Sequence, residues 1–179
     1  DTTVFADGLY DLRVVTTDLV GNVFTSAAVS NVRVDNTAPT GAVTAPAANA
    51  SLRGTVAMTT NSADAGSGVS SVQFQRSPAG TNTWANQGSA DTSSPYSVTW
   101  TTTTGTPDGL YDLRAVTTDK AGNITTSPVV TLRVDNTAPT GAVTAPAASG
   151  NVRGVTTVTS SSADAGSGVA SAQFQSSPR

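Results

Sequence analysis

The chain contains no cysteine, no histidine and no glutamate; its twelve acidic residues are all Asp, and its nine basic residues are eight Arg and the single Lys120. Those absences exclude a thiolate nucleophile, an imidazole acid or base, and ordinary zinc or iron sites. Carboxylate-pair hydrolysis would have to rest on Asp alone. No convergent set of reactive groups stands out, and the chain is expected to be non-catalytic. Charge is scarce too, at 12% of residues with a net value of -3, and the bases are scattered singly. Without a basic stripe, nucleic acid is not an expected partner. No run approaches the ~20 apolar residues that span a bilayer, so no membrane span is expected in this stretch. No signal peptide opens the sequence, and any export signal is expected to lie outside it. With 37% hydrophobic residues over 179 positions, the surface must be built mainly from Thr, Ser, Asn and Gln, which suits an extracellular or cell-surface setting.

What the sequence does have is repetition. RVDNTAPTGAVTAPAA at 33–48 returns unchanged at 133–148, although it is polar and turn-rich rather than core-forming. DGLYDLRVVTTDLVGN at 7–22 matches DGLYDLRAVTTDKAGN at 108–123, an offset of 101 residues. The offset becomes 100 after a one-residue length difference placed near Phe24, so that SADAGSGV at 62–69 recurs at 162–169. A period of about one hundred residues is a whole domain rather than a solenoid unit. Cutting at the repeated phrase divides the chain into three: residues 1–36 as the last two strands of a domain, 37–136 as one complete domain, and 137–179 as the first three strands of another. The incomplete ends are expected to make the chain a window on a longer array, because a lone hairpin is marginal in water.

Inside the complete repeat, apolar residues alternate with polar ones between turn signals. Val56 and Met58 form one inward row, Val72 and Phe74 a second, and Tyr96, Val98 and Trp100 a third. Tyr111, Leu113 and Ala115, then Val130, Leu132 and Val134, supply two more, with Trp84 in a short intermediate strand. Pro, Gly and β-branched residues disfavour every helical window. About seven short strands in one hundred residues predict an all-β, immunoglobulin-like sandwich.

The chain resembles the tandem bacterial immunoglobulin-like repeats of large surface proteins and adhesins. The resemblance is carried by DNTAPT at each junction, ADAGSGV before the third strand, PYSVTW on the fifth and DGLYDLRAVTTDKAGN around the sixth. It implies seven-stranded sandwiches in an elongated array, acting as stalks and spacers, with relatives that bind calcium or a host ligand. Antibody domains are excluded: the inter-sheet disulfide is absent and Phe74 stands where their Trp would be. Tyr111 in DGLY is placed like a tyrosine corner.

In such a sandwich the incoming linker, the loop between the second and third strands, and the loop between the sixth and seventh meet at one pole. Here those carry Asp35 and Asn36, Asp64, and Asp119 and Asn123, a candidate calcium site. The next boundary retains Asp135, Asn136 and Asp164, and the first retains Asp18 and Asn22. The alternative for all of them is turn chemistry, since Asp and Asn bond their own backbone two residues on and no EF-hand spacing exists. Trp100 belongs to the core rather than to a sugar platform, Thr101–Gly105 reads as a solvated turn, and Lys120 lacks a buried acid for an isopeptide cross-link. Two functions follow: a structural spacer whose partners are its neighbouring repeats and self-associated fibres, or an adhesive module for a glycan, ice or a host protein.

Overall fold

The structure is a computed structural model describing residues 1–178. It is all-β. The leading segment holds β1 (Gly8–Leu12), β2 (Val15–Thr17), β3 (Val23–Thr25) and β4 (Val29–Val34). The central unit holds β5 (Val43–Ala45), β6 (Ser51–Leu52), β7 (Thr55–Thr60), β8 (Val69–Pro78), β9 (Ala85–Asn86), β10 (Ser97–Thr101), β11 (Gly109–Asp119), β12 (Ile124–Thr126) and β13 (Val130–Val134). The trailing segment holds β14 (Val143–Ala145) and β15 (Thr159–Ser160). No helix among the described residues is long and apolar enough to cross a membrane.

Two sheets face each other in the central unit, one ordered β10-β7-β5 and the other β6-β13-β11-β8-β9, with β12 also paired to β11. Period-2 alternation makes both halves. In β11, Tyr111, Leu113, Ala115, Thr117 and Asp119 are buried while Asp112, Arg114, Val116 and Thr118 are half-buried on the opposite face. Met58 and Trp100 from the first sheet meet Val72, Phe74, Leu113, Leu132 and Val134 from the second in one cluster. Trp100 packs edge-on to Tyr111 with ring centroids 5.5 Å apart. Its indole N–H finds the Thr106 hydroxyl at 3.3 Å, as a buried Trp requires. The Tyr111 hydroxyl donates to the Pro107 carbonyl at 3.0 Å.

Seven expected strands appear as nine segments. The first is interrupted after Ala45 by Pro46, so β5 joins one sheet while β6 pairs in parallel with β13 in the other. The last is interrupted at Ser127 and Pro128, where a backbone N–H is missing. Trp84 lies just before β9 rather than within a strand. The extra residue expected near Phe24 sits instead in β4. Tyr10 pairs with Val32 but Leu12 with Val29, a bulge that leaves Asn31 at φ 62°.

The partial repeats differ from the central one for a physical reason. β11 runs unbroken because β8 hydrogen-bonds it from Pro78 to Val69. The matching stretch in the leading segment has no such neighbour and splits at Arg13 and Val14 into β1 and β2. Likewise, the third strand expected after Val169 does not form among the described residues, for it lacks the partners that β11 and β9 give β8.

The outer edge of β10 is shielded by side chains. Gln87 Nε2 donates to the Thr99 carbonyl at 3.0 Å, and the Asp91 carboxylate accepts the Ser97 N–H at 2.8 Å. Such caps keep an edge strand from pairing with another chain. The Ser97 N–H, then that of Ser93, lowers the Asp91 pKa below 3.8.

Two outcomes follow. Trp100→Ala should destabilise the central unit by about 3–5 kcal/mol in denaturant unfolding. Because the folded Asp91 pKa is depressed, its contribution is present above pH 3.8 and lost as pH falls through the folded value. The melting temperatures of the parent and Asp91→Ala should therefore differ at neutral pH and converge in acid.

Candidate functional site at the unit boundaries

The phrase repeated in the sequence builds the same joint twice. β4 ends at Val34, and the chain leaves the sheet at Asp35, which is only 7% exposed. From behind, Asp7 accepts the Asn36 N–H at 2.7 Å and the Thr37 hydroxyl at 2.5 Å. At the next boundary, Asp108 accepts the Asn136 N–H at 2.8 Å and the Thr137 hydroxyl at 2.6 Å. From ahead, the Asp35 carboxylate accepts the Ser67 N–H at 2.6 Å, and Asp135 accepts that of Ser167 at 2.6 Å. A two-way bridge then seats the incoming chain on the loop that follows, Thr40 with Ala63 and Thr140 with Ala163. Pro39 and Pro139, with fixed φ, limit the linker's freedom between these anchors.

Glycine is required where the carboxylate docks. A Cβ at Gly66 would stand 2.5 Å from the Asp35 carboxylate, and one at Gly166 would crowd Asp135 equally. Hydrogen bonding holds these acids ionised. The Ser67 hydroxyl and then its N–H lower the Asp35 pKa, and Ser167 does the same for Asp135. Thr37 first, then Asn36, lowers that of Asp7, and Thr137 then Asn136 that of Asp108.

Asp35, Asp64 and Asp119 each bring a carboxylate oxygen within 4.8 Å of the others. Asp119 is 2% exposed. It accepts the N–H groups of Gly122 at 2.7 Å and Asn123 at 2.9 Å, and Asp64 accepts that of Gly68 at 2.7 Å. These are the bonds of turn formers, so loop shaping and carboxylate clustering coexist. Asn123 joins through its donor, with Nδ2 reaching Asp119 Oδ2 at 2.8 Å and the Asp35 carbonyl at 3.0 Å. Asn36 is not brought to the cluster; its side chain turns back to Thr2. Asn136 likewise turns to Thr102 and Gly54. At the second boundary Asp135 holds Ser167 while Asp164 accepts from Gly166 and Gly168. Asp18 binds Asn22 and the Val20 N–H within its own loop.

Three carboxylates at one place fit a hard, oxygen-preferring cation such as calcium. Two cations stand nearby: Arg33, whose charge helps to lower the Asp35 pKa, and Lys120, whose Nζ lies 3.6 Å from where a Cβ on Gly68 would stand. Asp7, Asp108, Ser67 and Gly66 belong to the joint beyond the residues expected from the sequence. The signal for the two acids was present, since an Asp immediately precedes each GLYDLR motif.

Gly66→Ala should push Asp35 off the Ser67 N–H at a cost of about 1–3 kcal/mol of local strain. Since the chain has no cysteine, spin labels at Leu19→Cys and Thr92→Cys read the joint directly. Their distance distribution should be narrow in the parent and broaden with Gly66→Ala while the central core stays folded.

Residues 39–115 match the family described as bacterial Ig domain. Among solved structures, the chain is similar to fibronectin(III)-like modules of CbhA from Clostridium thermocellum, at 21% identity and a TM-score of 0.44, over 74% of this chain and 64% of that one. It is also similar to an endo-beta-1,4-mannanase from Thermotoga petrophila, at 14% identity and a TM-score of 0.44, over 57% of this chain and 21% of that one. The chain thus spans less than two thirds of either. No curated protein matches it. Within the central unit, it is the stretch from residue 39 to residue 115 that is similar to the bacterial Ig domain family.

Proposed function

We propose that the chain is a non-catalytic structural segment of an extracellular bacterial surface or fibre protein, whose Ig-like units serve as spacers along a stalk. The observation that carries this reading is the duplicated joint. Asp7 and Asp108 grip the linker from the preceding unit, and Asp35 and Asp135 insert into the following one with matching partners and distances. A spacer has to transmit position from one unit to the next, and a linker anchored on both sides does so. The partners of each unit are then its neighbours in the same chain and, in a self-associated fibre, further copies of it. Turnover of any substrate that vanished on replacing Asp64 or Asp119 would overturn the non-catalytic reading.

Calcium is the ion we assign to Asp35, Asp64 and Asp119, which would hold it together and tie the linker to both loops of the following unit. It would supply no chemistry beyond offsetting the mutual repulsion of three carboxylates, two of them buried. Melting curves and small-angle scattering of the chain with calcium and with chelator test the assignment. Binding at a hundredfold excess over Kd should add about 2.7 kcal/mol of stability, and Asp119→Asn should abolish the response. If neither the melting temperature nor the maximum dimension changes, the assignment fails.

A further inference from the structure

We propose that the outer face of the β8–β11 pair carries a binding site for carboxylated sugars, built from Trp84, Arg114, Gln75 and Asn86. The inference is independent of the spacer reading. Arg114 points away from the core, from the face of β11 opposite Leu113 and Ala115. Its guanidinium carbon lies 4.0 Å from the centroid of the Trp84 ring, and its Nε donates to Gln75 Oε1 at 2.8 Å. Gln75 Nε2 in turn donates to Asn86 Oδ1 at 2.9 Å.

The direction of this chain is set by one residue. Arginine can only donate, so its bond fixes the carbonyl end of Gln75 toward it. Gln75 must then present its NH₂ to Asn86, and Asn86 must present its own NH₂ outward. Both amide oxygens already accept one internal bond. Among the described residues no acceptor pairs with the terminal Nη groups of Arg114 or with Asn86 Nδ2. The face is left with a positive, fork-shaped set of donors beside an indole ring.

A carboxylate matches a guanidinium fork with two parallel hydrogen bonds, and the half-buried Trp84 ring, one face of which the guanidinium covers, leaves apolar surface for the C–H groups of a sugar. Gln73, next on the row, spends its Nε2 on the carbonyls of Phe74 and Gly88 at 2.9 and 3.2 Å. Its free Oε1 suits a sugar hydroxyl. Asp112, the carboxylate on the same row of β11, is occupied by the Gly80 N–H at 2.9 Å and the Thr131 hydroxyl at 2.6 Å. Together these groups select a uronic acid, which carries both a carboxylate and ring hydroxyls. Arg13 and Gln175 repeat Arg114 and Gln75 in the two flanking segments, and an array in which the whole set recurs would multiply a weak site.

Isothermal titration of the whole chain with trigalacturonate and with its methyl ester tests the proposal. The acid should bind, and the ester should bind about tenfold more weakly or not at all. Gln75→Glu, which supplies Arg114 with a competing carboxylate, should lower affinity for the acid about tenfold or more without lowering the melting temperature. Asn86→Ala, an exposed change, should weaken binding more modestly. No binding of the acid, equal binding of the ester, or unchanged affinity in Gln75→Glu would each overturn the proposal. None of those results would bear on the joint, whose rigidity is read by the label distances.

Discussion

A strand needs hydrogen-bonded neighbours, and the rest of this structure depends on β11 having them on both sides. It is paired with β8 from Tyr111 to Asp119 on one edge, and with β13 over Gly109–Leu113 and β12 over Val116–Thr118 on the other. That pairing places Tyr111, Leu113 and Ala115 against Trp100 and Met58 of the opposing sheet. It also places Asp119 at the pole where the linker arrives, and Arg114 on the outer face where Trp84 folds over it. Core, joint and outer face are therefore three consequences of one strand's register, because a shift of one residue would exchange its faces.

The leading segment shows what happens without that constraint. Its motif matches that of β11 almost letter for letter, yet it breaks into two short strands and leaves Leu12 and Val14 exposed. The local features survive. The Tyr10 hydroxyl reaches the Ala6 carbonyl at 2.8 Å just as that of Tyr111 reaches Pro107. Ser26 Oγ accepts the Val14 N–H as Ser127 Oγ accepts that of Ala115. Bonds spanning four to twelve residues need only the turn or hairpin, whereas a long straight strand needs a partner from a distant part of the chain.

The joint follows a similar division. Its linker is polar because Asp35 and Asp135 each accept two backbone N–H groups, one from the linker itself and one from the loop ahead. Asp35 works at the boundary between units and is nearly as buried as the core. Gly66 has no side chain because that carboxylate occupies the space, so the repeated ADAGSG motif is explained by its neighbour rather than by its own turn alone.

Much of this was legible in the sequence. The alternation of Val72 with Phe74 and of Tyr111 with Leu113 marks strands, since only a two-residue period puts those side chains on one face. The repeated phrase marks a boundary, and its Asp35 a contact point. Other features were hidden because they depend on residues far apart in sequence. The splitting of the first strand between two sheets, the bulge at Asn31, the grip of Asp7 and Asp108 on the linker, and the stacking of Trp84 on Arg114 all belong to that class. The sequence by itself determined the all-β class, the period of the repeat and the row of residues that each strand turns inward, since these follow from local propensity and alternation. Only the tertiary structure decided how long each strand runs, which acids meet at the joint and which donors the outer face leaves free. Those depend on which distant segments supply the hydrogen-bond partners.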